Sequence, residues 1–363
     1  MAKYCVFCGA VPEKKNKEHV VPKWLIKLTG NPKREAYFGF EKNIETEVKT
    51  RTFAFDQFSF PACSLCNEKY ANLEEQVKPI LETIIAGKAI KARNFSVLLD
   101  WMDKVRIGLW LGFNQLDKNF AQINPNFHIE RRIGQYDRAL IVEKSKGICE
   151  RLNFGGVETL LFQVTPSAFT LTVNNYCFTN ISYIFLIFRR LGFPYPRKMY
   201  YLPGSSGEAV SDIGKGLERV LLPIIRKQSY EKGKIFYQPM FKGGLISGSD
   251  FSKFYDNEYV ETRSIDHKNG IGDIFEENDG KLHHFKKEEL VSLEPIPHYS
   301  EYQLGIKSGI NICEWQKWLL TLLPATDQLD NEHKKFIKAR SKFGVRFNNF
   351  MIEHHKKLLK KAQ

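Results

Sequence analysis

Four of the chain's seven cysteines fall in two Cys-x-x-Cys pairs, Cys5/Cys8 and Cys63/Cys66, with 54 residues between Cys8 and Cys63. Two-residue spacing lets one tight turn aim both sulfurs at a single ion, and two such pairs complete a tetrahedral zinc site. Any fold of this chain that uses the site must bring residue 5 next to residue 63. Disulfides are the competing use of paired cysteines. A chain of 363 residues does not need them, and Met1-Ala2-Lys3-Tyr4 leads straight into Cys5 with no cleavable segment. The reducing cytoplasm is the expected compartment. Cys149, Cys177 and Cys313 stand alone in sequence and read as small core residues.

The length allows two domains, and 43% hydrophobic residues marks a globular chain. No apolar run reaches the length of a membrane span; Tyr183 to Phe188 stops at Arg189-Arg190. The formal net charge is +13, which calls for a polyanionic partner, either nucleic acid or a membrane surface. Much of the excess is terminal: residues 331 to 363 carry ten Lys and Arg against two Glu, a net of +8.

Along the chain, residues 1 to 12 read as a knuckle, and Trp24 to Leu28 as a helical turn closed by Gly30. Alternation between Thr46 and Phe60 predicts strand, and Cys63 turns into a helix through Val77 that Pro79 ends or kinks. A helix is expected over 96–113, and another over 211–228. Between Ala139 and Phe188, four β-branched and aromatic runs predict an antiparallel sheet: 140–142, 160–164, 169–173 and 184–187, with a turn at Asn174-Asn175. Two helices, 310–323 and 331–361, end the chain on either side of Pro324. The class is α+β. A zinc-stabilised module over residues 1–90 precedes a larger mixed domain over 91–363, whose role is nucleic-acid, sensor or partner binding. That domain contains the sheet and closes with the basic helix.

Between the cysteine pairs stands Glu18-His19, and directly after the second pair stands Asn67. Neutral imidazole accepts a proton near pH 7, and carboxylate and amide oxygens suit a hard divalent cation. Adjacent residues on extended backbone point to opposite sides, so one can hold metal while the other faces a substrate. Zinc held by four cysteines has no open position for chemistry, so it is a scaffold.

Cys-x-x-Cys, acidic-His-x-x-Pro and Cys-x-x-Cys-Asn together resemble the HNH endonuclease family, whose fold is a ββα-metal finger. Glu18-His-Val-Val-Pro-Lys-Trp-Leu25 and Cys66-Asn67, with Tyr70 and Leu73-Glu74 beyond, are similar to a bacterial subset of that family. The likeness spans roughly residues 1 to 90. It implies Cys5, Cys8, Cys63 and Cys66 as structural Zn²⁺ ligands, Glu18 and Asn67 as ligands of a catalytic Mg²⁺ or Mn²⁺, and His19 as the general base. Glu74, two helical turns beyond Asn67 on the same face, is a candidate third ligand. The family's middle Asn falls at Phe58, so Gln57 or Ser59 would have to orient the base. Lys23, Lys69 and the helical Lys334, Lys335, Lys338, Arg340, Lys342 and Arg346 are candidate phosphate contacts.

The expected function is metal-dependent hydrolysis of phosphodiester bonds, with DNA favoured over RNA and no membrane partner. The resemblance further implies anti-phage defence or restriction with a companion protein. The alternative is a non-catalytic zinc finger that binds nucleic acid or acts as an adaptor. A third reading is a nuclease-like effector whose C-terminal part senses a ligand.

Overall fold

The computed structural model describes residues 4–12, 16–31, 35–40, 50–54, 59–116, 125, 127–184, 186, 195–201, 208–214, 233–240, 272–278 and 281–362. The first strand, β1 (Asn16–His19), leads to helix α1 (Lys23–Leu28) and strands β2 (Glu35–Phe40), β3 (Thr50–Ala54) and β4 (Ser59–Ala62). Helix α2 (Ser64–Ile85), strand β5 (Ile90–Lys91) and helix α3 (Ala92–Leu116) follow. Next come β6 (Asp137–Lys144), β7 (Leu152–Gly155), α4 (Leu160–Val164), β8 (Ala168–Val173), β9 (Tyr176–Tyr183), β10 (Tyr195–Tyr201) and β11 (Glu208–Gly214). The chain closes with β12 (Lys234–Gln238), β13 (Ile274–Asn278), β14 (Lys281–Phe285), β15 (Leu290–Val291), α5 (Glu301–Leu319) and α6 (Asn331–Lys361).

A seven-stranded sheet in the order β14-β13-β12-β6-β9-β8-β7 forms the middle, and every pair in it is antiparallel. Alternation along β6 serves both faces. Leu140 and Val142, with Phe236 of β12, pack into the core that contains α3. Ala139 and Ile141, with Ile235 and Tyr237, pack into the core that holds Ile312 and Trp315 of α5 and Ile352 of α6. The order of layers is therefore α3, sheet, then α5 with α6. The same core that holds Leu140 and Phe236 also holds Cys5, Val20, Phe60 and Cys66, so the N-terminal elements pack without a break onto α3. Between residues 87 and 95, where the chain leaves the N-terminal elements, β5 pairs with β15 from near the other end.

Helix α3 is hydrophobic nearly all round: Phe95, Leu98, Leu99, Trp101, Met102, Val105, Leu109, Trp110 and Phe113 are all buried. That is the composition of a helix enclosed by protein. Two helix-interior glycines, which cost about 1 kcal/mol each relative to alanine, sit where the N-terminal strands press on it. A Cβ on Gly108 would lie 2.7 Å from Val20 Cγ1, and one on Gly112 would lie 2.5 Å from Phe60 Cζ. The missing side chains let the β1–β4 pair approach the helix backbone.

Several expectations from sequence need correction. Helix α2 runs through Pro79 without ending, because Val77, Ile80, Leu81 and Ile84 bury the second half and Thr83 Oγ1 donates to Pro79 O at 2.6 Å. The apolar run 160–164 is a short helix rather than a strand: Thr159 Oγ1 caps it by accepting from Phe162 N, and burial on every side left no periodicity to read. The sheet strand that follows the Asn174-Asn175 turn is β9, buried at all eight positions, with Asn174 at φ 53. Residues 211–214 belong to strand β11 instead of a helix; 215–228 lie outside the described residues, as do Phe185 and Ile187 of the run at 184–187. Helix α5 starts at Glu301, well before 310, behind a Ser300/Gln303 capping box.

On the α5 face of β6, Glu143 is buried opposite Cys177 of β9, and its Oε2 has no hydrogen-bond partner among the described residues. Burial pushes its carboxyl up to about 7, against the pull of Lys307. The folded chain therefore keeps a proton that the unfolded chain releases near the ordinary value of 4.5. Its contribution is fully present below that value and is lost as pH rises towards about 7, a change of about 3 kcal/mol. Urea unfolding at pH 4.5 and pH 8 should show Glu143→Gln more stable than wild type at pH 8, with that gain absent at pH 4.5. An equal gain at both values would contradict a titrating Glu143.

Candidate metal centre

The four cysteine sulfurs lie within 4.8 Å of one another, with Cys5 and Cys63 3.7 Å apart and Cys8 and Cys63 3.9 Å apart. A zinc tetrahedron with Zn–S bonds of about 2.3 Å puts its sulfurs roughly 3.8 Å apart. The cluster therefore fits a metal ion such as zinc. Among the described residues it is the one group of three or more His, Cys, Asp and Glu side chains with that geometry.

Local backbone explains the convergence. Val6 N donates to Pro61 O at 2.9 Å, which lays the first knuckle along the end of β4. Cys63 is the N-cap of α2, and its amide donates to Cys5 Sγ at 3.3 Å. The helix N-terminus adds partial positive charge where thiolates gather. Phe7 stacks on Tyr70 of α2 at 4.1 Å, so an aromatic contact backs the cysteine cluster.

Strands β1 and β4 pair antiparallel, with Glu18 opposite Phe60 and His19 opposite Ser59. Asn16 Nδ2 donates to Ser64 Oγ at 3.2 Å and ties the start of β1 to the start of α2. Cross-strand partners share a face and neighbours alternate. Glu18, Val20 and Phe60 therefore face α3, where Val20 meets Gly108 and Phe60 meets Gly112. His19 and Ser59 share the opposite face, and both are half-buried. Ser59 thus stands beside the histidine in register; Gln57 lies outside the described residues.

Asn67 occupies the first turn of α2, its amide on Cys63 O at 3.0 Å. Its Oδ1 is shielded from solvent and has no hydrogen-bond partner among the described residues. A desolvated amide oxygen without a partner is costly, and binding a hard cation is one way to satisfy it.

Glu18 and Glu74 meet through a residue the sequence reading did not single out. Lys104 of α3 is 0% exposed, and its Nζ pairs with Glu18 Oε1 at 2.6 Å and with Glu74 Oε1. The two carboxylates are themselves only 12% and 16% exposed. Burial pushes the Glu74 carboxyl up, against the pull of the Lys104 ammonium. The same ammonium lies 5.7 Å from the centre of the Phe7 ring. Lys104 is one of several charges in an otherwise apolar helix, with no motif around it. The signal was a charged triplet, Asp103, Lys104 and Arg106, inside a helix too hydrophobic to have an exposed face.

The remaining candidates are dispersed. Lys69 pairs with Glu130 at 2.6 Å on the surface, and Lys23 is exposed on α1. Lys334, Lys335, Lys338, Arg340, Lys342 and Arg346 lie on α6, on the α5 side of the sheet, away from the side that carries the cysteines and His19. No helix among the described residues is long and apolar enough to cross a membrane. No protein-family model, curated protein or solved structure matches the chain.

Two outcomes are expected here. Metal analysis should find one zinc per chain, and Cys66→Ser should lose it together with thermal stability. Replacing Lys104 by Met should cost about 3–5 kcal/mol in urea unfolding, because it leaves two carboxylates enclosed without a counter-charge. Lys104→Met/Glu74→Gln should recover part of that loss; a double variant no better than the single one would show that the Lys104–Glu74 pair is not its source.

Proposed function

We propose that the N-terminal elements form an HNH-type, metal-dependent endonuclease site that hydrolyses phosphodiester bonds, with DNA as the favoured substrate. The observation that carries the reading is Asn67 Oδ1, enclosed and unpartnered on the first turn of α2, beside the cysteine cluster. In support, β1 pairs with β4 and α2 follows β4, although α1, β2 and β3 stand between the two strands in the chain. Zinc on Cys5, Cys8, Cys63 and Cys66 staples the start of the helix to the first knuckle.

Glu18, Asn67 and Glu74 are the oxygen donors for a Mg²⁺ or Mn²⁺ ion, a donor set of the hard type such ions take. A cation held there supplies positive charge to the scissile phosphate and the departing oxygen. His19, on the face opposite Glu18, takes a proton from the attacking water at a ring nitrogen. Ser59, across the strand pair from His19, fills the orienting position in place of the family's middle Asn. Lys104 holds Glu18 and Glu74 towards each other and offsets their mutual repulsion.

The second reading is a non-catalytic zinc finger that binds nucleic acid or a partner protein. Lys104 favours it, since an ammonium of the chain already neutralises the two carboxylates. Anti-phage defence or restriction with a companion protein follows from the resemblance alone.

Zinc-loaded protein, incubated with plasmid DNA and with RNA in Mg²⁺ or Mn²⁺, should cleave, DNA in preference. His19→Ala should cut at least about 100-fold more slowly. Electron paramagnetic resonance should detect Mn²⁺ bound by wild type and by His19→Ala, and lost in Asn67→Ala. Equal cleavage by wild type and His19→Ala, or no Mn²⁺ site beside the zinc, would leave the non-catalytic reading standing.

A further inference from the structure

We propose that the solvent face of α6 is a second nucleic-acid site, remote from His19, on which the bases of a single strand stack against Phe336, Phe343 and Phe350. These three rings are 46%, 57% and 58% exposed, on a helix whose other face packs through Gly344, Asn348 and Ile352. They recur every seven residues, which is two helical turns less a small drift, so they form one stripe. Seven residues rise roughly 10 Å, too far for the rings to pack on one another.

Cations fill the spaces along the same face. Lys335, Lys342, Arg346 and Lys357 are exposed there, and the Arg340 guanidinium lies 5.1 Å from the Phe336 ring centre. Of the acids between residues 331 and 363, Glu332 and Glu353, the second is paired with Lys356 at 2.8 Å. An alternation of exposed rings and cations is what single-stranded nucleic acid requires: π-faces for bases and positive charge for the phosphates between them. Neither group reads the sugar, so single-stranded DNA and RNA are both accommodated.

Two other occupants fit less well. A coiled coil with a second copy needs apolar residues three or four positions after each Phe. Those positions hold Ala339/Arg340, Arg346/Phe347 and Glu353/His354, and two such helices would set +8 against +8. A helix that lies in a lipid surface separates an apolar face from a charged one. Here the cations stand among the rings.

The position of α6 makes this a separate site. It packs with α5 on the face of the sheet opposite α3, whereas Glu18, Val20 and Phe60 press on α3 from its far side. Helix α3 and the sheet intervene, each a layer of roughly 10 Å. The inference rests on the reading that the polyanion is nucleic acid, and is independent of whether His19 cuts it.

The test is anisotropy of fluorescein-labelled 20-mer oligothymidylate and oligouridylate, with full-length zinc-loaded protein and no added divalent cation. A 20-base-pair duplex and vesicles of phosphatidylserine and phosphatidylcholine serve as alternatives. Wild type should bind both oligomers more tightly than the duplex. Phe336→Ala/Phe343→Ala/Phe350→Ala should weaken binding about 100-fold, at about fivefold per ring, with an unchanged slope of log K against log salt. Lys342→Gln/Arg346→Gln should instead flatten that slope. Circular dichroism should show both variants folded, since every substituted side chain is exposed. Unchanged affinity in the triple Phe variant, preference for duplex, binding to vesicles alone, or dimerisation lost with the rings would each overturn the proposal. His19→Ala should bind as wild type does, which separates failure here from failure of the cleavage reading.

Discussion

Helix α3 carries Asp103, Lys104 and Arg106 into the interior, and the rest of the fold must answer those three charges. An ion removed from water is stable only if it is paired and hydrogen-bonded. Asp103 pairs with Arg106 at 2.7 Å and with Arg138 of β6 at 3.1 Å. Arg106 also donates to Pro166 O at 2.9 Å and to Asn180 Oδ1 of β9. Lys104 turns the other way, to Glu18 and Glu74. One helix therefore fixes the sheet by one set of charges and the β1–α2 region by another. Hydrophobic burial could hold these layers together in several registers; the charges allow far fewer.

That arrangement explains which parts of the protein could be read from sequence. The cysteine pairs were legible because ligand spacing is a local property of the chain, and the cluster forms as the spacing demands. The antiparallel sheet and the Asn174-Asn175 turn were legible for the same reason. Lys104 was not, because its significance depends on Glu18, 86 residues away, and on complete burial. Leu160–Val164 failed because a run buried on all sides has no polar face to reveal its period, although the Thr159 cap was present. The early start of α5 could have been found: Ser300 and Gln303 have capping-box spacing ahead of the apolar residues. Pro79 did not end α2 because tertiary burial of the helix outweighs one missing hydrogen bond.

The sheet also separates two features that net charge alone had combined. A count of Lys and Arg does not say whether α6 and the N-terminal motif share one surface. The layer order puts them on opposite sides, so a nucleic acid that touches both must pass around the edge of the sheet. Short helix α4 stands at such an edge: Phe162 joins the core of α3, while Leu161 would meet a Cβ at Gly344 of α6 at 2.3 Å. A close approach of that kind ties α6 to the inner layers and leaves its solvent face free of structural duty.

The weakest part of the resemblance was Phe58 in place of the family's middle Asn, and strand register narrows the matter. A residue that orients His19 must share its face of the β1–β4 pair. Ser59 does so as the direct partner of His19, whereas Phe60 is the partner of Glu18 and faces α3. Within β4 the alternation leaves Ser59 and Pro61 on the histidine's side and Phe60 and Ala62 on the side of α3. Ser59 is therefore the one side chain of β4 that can offer His19 a hydroxyl across the strand pair.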